Sequence, residues 1–461
     1  MRSNLALALT LTGLTLPLAL AACNDGGRGK QFFGPGSTGA TNSSGTTPTS
    51  LGSFAGTGAM TEPRFRHTAT VLRDNRVLVV GGAAGPPNFT PSNTAEVWEP
   101  TAGVWQRTDA IAVPGSGTSG FLIVGGVPAQ QTRRVDHAAV LLPNPGNPSN
   151  APVLIMGGFG VERFGGGVPA GEALQTVFTF DPATNSFTQK TSMTTGRRNP
   201  LAVVLSNGTV LVTNGQDNTP GQGTIGNTIQ TSEVYDIAND TWTALANGNT
   251  AGQHGYGQIF AAGNQVVVVD GASVSITGNV GFAVGSGASP RGEIFNVQAG
   301  SFSAGQPLAS GRAFFGGDVD TSGSNRVFIA GGVDPDSNGL PLLGTTEIFT
   351  ASTGAWAPGP VLTTPRGLNT VSEIGGNAAA GTGDMLIIGG RSSPIGQPAV
   401  QTAQCEVYGV VTNSILGTVN MAGAREDHRS VRLNDGRILV VGGFLGGNTG
   451  NALASCEVYT R

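Results

Sequence analysis

From Arg64 onward the chain alternates short apolar runs with polar turns, and one pattern returns seven times at spacings of about 54 to 70 residues. Its clearest copies open and close the series. Arg64 to Gly82 reads as an apolar strand, a turn at Asp74 and Asn75, a second strand and a glycine pair, and Arg425 to Gly443 matches it almost position for position. The pair recurs at Gly157-Gly158, Gly331-Gly332 and Gly389-Gly390, and is reduced to Asn214-Gly215 and Asp270-Gly271 in the remaining repeats. A variable loop then leads to a third strand that opens at Glu96, Phe178, Glu233, Glu293, Glu347, Glu406 or Glu457. A brief turn follows, and a fourth strand marked by Trp105, Phe187, Trp242, Phe302, Trp356 or Leu416. No stretch keeps the 3.6-residue apolar spacing of a helical solenoid. Four strands per repeat predict a propeller blade.

The glycine pairs, the Glu-aromatic third strand and the aromatic fourth strand, repeated together, resemble the Kelch family, above all bacterial repeats related to the propeller of galactose oxidase. The resemblance covers residues 53–461 and implies an all-β, seven-bladed β-propeller with four antiparallel strands per blade. The last repeat stops after its third strand, at Arg461. Ser53 to Met60 stands before Arg64 as Ser301 to Leu308 stands before Arg312, so the N-terminal strand is expected to complete the seventh blade and close the ring.

Gly supplies 74 of 461 residues and charged residues only 11%, which suits many tight turns rather than long solvated helices. The net charge of −4 comes without any Lys/Arg run, so nucleic acid is not an expected partner. Arg2 followed by the apolar stretch Leu5 to Ala22 reads as an export signal over residues 1–22. Leu20 to Cys23 resembles the lipobox of bacterial lipoproteins, which implies that Cys23 carries lipid and ties the protein to a membrane, with the outer membrane or cell surface favoured. Residues 23–52 are rich in Gly, Ser, Thr and Asn and read as a flexible tether. A monomer is expected.

Arg64, Arg134, Arg197, Arg312, Arg366 and Arg425 recur at one repeat position, as do the third-strand residues Glu96, Glu233, Glu293, Glu347, Glu406 and Glu457. Opposite charges at fixed positions are read as structural, since buried charge is costly unless satisfied. The blade without Glu and the blade without Arg differ, which leaves one-to-one pairing open. His67, His137, His254 and His428 are assigned to a single repeat position near the axis, either packed between blades or close enough to bind a metal or ligand. Asp334, Asp336 and Asn338, followed by Gly339, fit the opening of a calcium loop, with an ordinary turn as the competing reading. Asp318 and Asp320 fit one more weakly. Cys405 and Cys456 sit on neighbouring third strands, ~15 Å apart by strand spacing and beyond the ~7 Å that a disulfide spans, so two buried thiols are expected.

The loops after the glycine stops, with the insertion from Ile111 to Gln131, gather on one face of the ring. That face is expected to bind a protein or glycan of the cell envelope, making the chain a non-enzymatic scaffold with no cofactor beyond possible calcium. The resemblance also names the copper radical oxidases. Their chemistry needs tyrosines and histidines around copper, whereas three of the four tyrosines here, Tyr235, Tyr408 and Tyr459, belong to third strands. The alternative is a carbohydrate-active Kelch enzyme, of sugar oxidase or isomerase type, using residues at the channel mouth. Converging ionisable groups with shifted titration there would distinguish it from a scaffold.

Overall fold

The computed structural model describes residues 50–85, 90–108, 133–161, 171–217, 228–245, 255–269, 271, 274–277, 281–284, 291–321, 325–375, 383–446 and 450–461. The expected export signal, Cys23 and the expected tether as far as residue 49, together with His254 and the insertion from Ile111 to Gln131, lie outside the described residues.

Seven four-stranded antiparallel sheets form the blades. Their first strands, Thr68–Val71, Ala138–Leu141, Leu201–Val204, Gln258–Ala262, Gly316–Asp320, Thr370–Ile374 and Arg429–Arg432, touch in sequence around the axis. Strands two to four step outward in chain order in the first six blades. In the seventh the outermost strand is Ser53–Thr57, which pairs with Cys456–Thr460 and places Phe54 against Tyr459 at 5.2 Å between ring centres. The sequence expectation of closure by the N-terminal strand holds.

Each inner strand is buried along its length because alternate side chains face the two neighbouring blades. Leu78, Val80 and Val97 of blade one pack with Ile155, Phe178 and Phe180 of blade two. Equivalent clusters fill every other boundary, including that between blades seven and one, where Leu439 and Val441 meet Val77 and Val79. The aromatic of the fourth strand faces that of the third, as with Tyr235 and Trp242 at 4.9 Å. Blade six departs from the expected pattern: a bulge brings Ile415 opposite Tyr408, while Leu416 is turned outward. Tyr408 instead stacks on Phe328 of blade five at 4.5 Å.

The glycine stops are forced by close approach. At Gly81, φ is +60° and an added Cβ would lie 2.5 Å from the carbonyl oxygen of Arg134 in the next blade. Some loops beyond the stops carry structure of their own: Phe159–Val161 pairs with Gly171–Ala173, Val274–Thr277 with Gly281–Val284, and Phe444–Leu445 with Asn451–Ala452. These ribbons are too short to stand out from loop by alternation alone.

The repeated Arg and Glu form a direct pair in five blades. Arg64 and Glu96 lie 2.8 Å apart, Arg197 and Glu233 3.0 Å, Arg312 and Glu347 2.5 Å, Arg366 and Glu406 2.7 Å, and Arg425 and Glu457 2.8 Å. The guanidinium also holds the stop: Arg425 Nη1 donates to the carbonyls of Gly442 and Ser455 at 2.9 and 2.8 Å. The carboxylate accepts from the incoming crossing, as Glu457 does from the amides of Ala422 and Gly423. One buried pair thus clasps the start of the inner strand, the end of the second strand, the third strand and the crossing. In blade two Phe178 replaces Glu, and the Arg134 guanidinium lies 4.7 Å from its ring centre. Burial lowers the pKa of Arg134 to about 9.

Removing one partner of a clasp leaves the other charged and buried. Glu406→Ala is expected to destabilise the fold by about 3–5 kcal/mol in denaturant unfolding; a loss below about 1 kcal/mol would show that the clasp is dispensable.

Candidate functional site

Two residues beyond the repeated Arg, every blade passes through left-handed backbone. Arg66, Asp136, Asn199, Tyr256, Phe314, Leu368 and Asp427 have φ between 52° and 59°. Such a conformation is costly for bulky residues. It is offset by amide groups that link blade to blade around the axis: Arg66 donates to the carbonyl of Asp427, Asp136 to Arg66, Asn199 to Asp136, Phe314 to Tyr256, Leu368 to Phe314 and Asp427 to Leu368, at 2.7 to 3.4 Å. Because the bend recurs in all seven blades it belongs to the fold, and what differs is the side chain that each blade presents to the centre.

Those side chains, joined by Arg198 next to Asn199, divide the mouth. Arg198 Nη2 and Nε lie 2.8 and 3.0 Å from Asp136 Oδ2, Arg66 Nε lies 3.1 Å from Asp427 Oδ2, and Arg66 Nη1 lies 3.8 Å from Asp136 Oδ2. Burial opposes the charge on Arg66, but Asp427 and Asp136 raise its pKa above the usual value. Aromatic walls flank this half: Arg198 lies over the ring of Phe159 at 4.6 Å, and Phe65 meets Phe444 at 5.1 Å. The other half is apolar, built from Tyr256, Phe314, Leu368, Val333 and Ile395. Isolated bridges such as Phe65 to Ala83 and Val135 to Phe159 join the start of each inner strand to the residue after the glycine stop. This mouth therefore lies at the long-loop end of the axis.

Glu426, between the clasp residue Arg425 and the axial Asp427, is 6% exposed. Burial and the neighbouring Asp427 push its pKa up to about 7, against the pull of Arg391, the Gln401 amide and Arg66. Its Oε2 finds no hydrogen-bond partner among the described residues. A carboxyl poised to gain or lose a proton near neutrality therefore stands beside fixed positive and negative charges.

The histidines lie elsewhere. His67, His137 and His428 are fully buried between blades. His137 Nε2 is 2.8 Å from Thr68 Oγ1 and His428 Nε2 is 2.9 Å from Thr370 Oγ1, each hydroxyl belonging to the preceding blade. At the equivalent place facing His67 the chain carries Arg429, whose Nε bonds the His67 carbonyl, and neither ring nitrogen of His67 finds a partner among the described residues. Burial holds the pKa values of His67 and His137 well below the usual histidine range. Tyr256 shares the left-handed bend of Arg66, so His254, two residues earlier in sequence, is in register with Arg64 and not with the other three histidines.

The acidic turns are satisfied internally. Asp334 Oδ1 accepts the amide of Asp336 at 2.9 Å and its Oδ2 accepts the Ser337 hydroxyl at 2.7 Å, while Asn338 is exposed. Asp318 Oδ2 accepts the amide of Glu373 at 2.9 Å and Asp320 Oδ1 that of Gly383 at 3.3 Å. Glu373, paired with Arg432 at 2.5 Å, joins blades six and seven. Burial, with Asp318 and Asp320 adding to it, raises its pKa to about 7 against Arg432 and Thr321. Cys405 and Cys456 are free buried thiols, as expected, and burial raises their pKa values to about 12 and about 11.

With this geometry in view, a solved fungal alcohol oxidase of the AA5 family, in complex with copper, is similar to the chain with a TM-score of 0.62 at 14% identity. The match covers 89% of this chain and 77% of the other. It shows the fold: a Kelch-like propeller of the galactose oxidase type. No family model and no curated protein matches the chain.

Two expectations are corrected here. The solved structure that shares the fold is an enzyme, and the mouth holds converging ionisable groups where a recognition surface would lack them, so the non-enzymatic scaffold binding through its long loops is set aside. That neighbour is in complex with copper, which runs against the expectation of no cofactor beyond possible calcium. Copper(II) takes imidazole, thiolate and oxygen donors. Among the described residues the mouth gathers two guanidinium groups engaged with two carboxylates, the three described imidazoles face the packing between blades, and no group of three His, Cys, Asp or Glu could hold a metal. These residues do not fit copper, and no step is derived through it.

Glu373 and Glu426 both titrate at about 7 when folded, above the ordinary 4.5. Between these values the folded chain keeps protons that the unfolded chain has released, so their stabilising contribution is full below pH 4.5 and is lost as pH rises through 7. The melting temperature is expected to fall between about pH 5 and pH 8, and Glu373→Gln to flatten that decline; a variant profile parallel to the wild type would contradict this.

Proposed function

We propose that the protein is a carbohydrate-active enzyme that acts on a sugar or related alcohol at the axial mouth. The observation that carries this reading is the convergence of Arg66, Asp136, Arg198 and Asp427 on the axis beside Glu426, whose carboxyl titrates at about 7. The likeness to a structure described as an alcohol oxidase supports it. Glu426 is the proton-transferring group. In the folded chain its carboxylate accepts a proton from a substrate C–H or O–H and its carboxyl returns one at a neighbouring atom, while the guanidinium groups oppose negative charge that develops on oxygen. Transfer of this kind moves no electrons out of the substrate, which favours the isomerase type. Export and lipid attachment at Cys23 complete the proposal and would set the enzyme at a bacterial envelope.

A panel of aldoses, ketoses and polyols followed by proton NMR in D₂O is expected to show interconversion or deuterium uptake for at least one member, with Glu426→Gln slowing it about 100-fold or more at a neutral-pH melting temperature no lower than that of the wild type. No conversion by the wild type across the panel would sink the enzymatic reading. For the anchor, Cys23→Ala is expected to abolish incorporation of labelled palmitate and to move the protein from the membrane to the soluble fraction. Label retained by the variant would count against lipidation at this residue.

A further inference from the structure

We infer that the hydroxyl of Tyr256 is a substrate-binding group of the mouth, donating a hydrogen bond to an uncharged oxygen of the ligand such as a sugar hydroxyl, ring ether or carbonyl. The inference rests on the proposed site and assigns a role that Glu426 and the axial charges do not fill.

The chain has four tyrosines, and three use their hydroxyls inside the fold. Tyr235 donates to Asp240 at 2.7 Å, Tyr408 to Asn413 at 3.0 Å and Tyr459 to the carbonyl of Leu51 at 2.5 Å. Tyr256 is 4% exposed and its hydroxyl finds no partner among the described residues. A buried hydroxyl left unbonded costs about 1–3 kcal/mol. Packing does not require it: the ring stacks on Phe314 at 4.4 Å, and the next blade fills the equivalent position with that phenylalanine. A phenylalanine at 256 would supply the same apolar contact without the penalty.

The location of the hydroxyl gives it a use. The ring belongs to the apolar half of the mouth, while the oxygen lies within the fields of Arg198, Asp136, Arg66 and Asp427 on the other half. It stands at the boundary, where a ligand with one C–H face and several hydroxyls meets both halves. Burial raises the pKa of the phenol, so it stays protonated and available as a donor. The two guanidinium groups and two carboxylates nearby are paired with each other, so an uncharged ligand meets no excess of either sign.

The test compares wild type with Tyr256→Phe in the full chain, using glucose as the probe and glucuronate as its charged counterpart, by saturation-transfer NMR. Wild type is expected to bind glucose more tightly than glucuronate, and Tyr256→Phe to weaken glucose about tenfold or more with melting temperature equal or higher. A lowered melting temperature would show that the hydroxyl is bonded within the fold, and unchanged glucose binding would show that it faces no ligand. Either result overturns the inference, as does failure of the wild type to bind glucose. Tyr256-dependent binding without turnover, with Glu426→Gln binding as well as wild type, would keep this inference while removing the enzymatic reading.

Discussion

The ring depends on a buried pair of opposite charges that recurs in five of its seven blades. In each clasp a guanidinium reaches the glycine stop, the third strand and a carboxylate that in turn holds the crossing from the blade before, so Arg425 and Glu457 fix four segments at once. Apolar packing between blades is non-directional and tolerates sliding. The clasp does not, because a small displacement strands a buried ion. Hydrophobic clusters hold the blades together, and the clasps set where each strand begins. Blade two shows how much latitude exists: the face of Phe178 takes the place of the carboxylate beside the Arg134 guanidinium.

A rigid repeat leaves the centre free to diverge. The left-handed bend and its amide-to-carbonyl chain use only backbone, so they impose nothing on side chains beyond tolerance of positive φ. Seven positions therefore carry Arg, Asp, Asn, Tyr, Phe, Leu and Asp with the same main-chain geometry. The result is a polar half from blades seven, one, two and three and an apolar half from blades four to six.

Most of the fold was readable because its determinants repeat. Gly81 and Gly442, Glu96 and Glu457, and Trp105 and Trp356 announce themselves by returning at a fixed interval, and the strand from Ser53 was placed by its likeness to Ser301 to Leu308. The mouth was hidden for the opposite reason. Arg66, Asp136, Tyr256 and Asp427 share a column but vary in chemistry, whereas the conspicuous residue is the recurring histidine of the next column, whose ring serves packing. The available signal was the variability of a single column inside an otherwise regular motif. Blade four lacks the Arg that marks the register in sequence, and the positive φ of Tyr256, with its bond from Phe314, supplies the register instead. Glu373 and Glu426 could not be singled out either, since their titration arises from burial and from Asp318 or Asp427, which reach them through the fold.

The pairing of Ser53 with Thr460 carries a further consequence for how the molecule is made. The first strand of the body has no partner until Cys456–Thr460 has been made, so six blades can assemble while the seam between the two strands stays open. Joining ends so far apart in sequence carries a loop-closure penalty that grows only with the logarithm of their separation. It is nonetheless met in a single late event. A chain stopped a few residues short would keep six complete sheets, yet it would lack the seal that turns an arc into a circle.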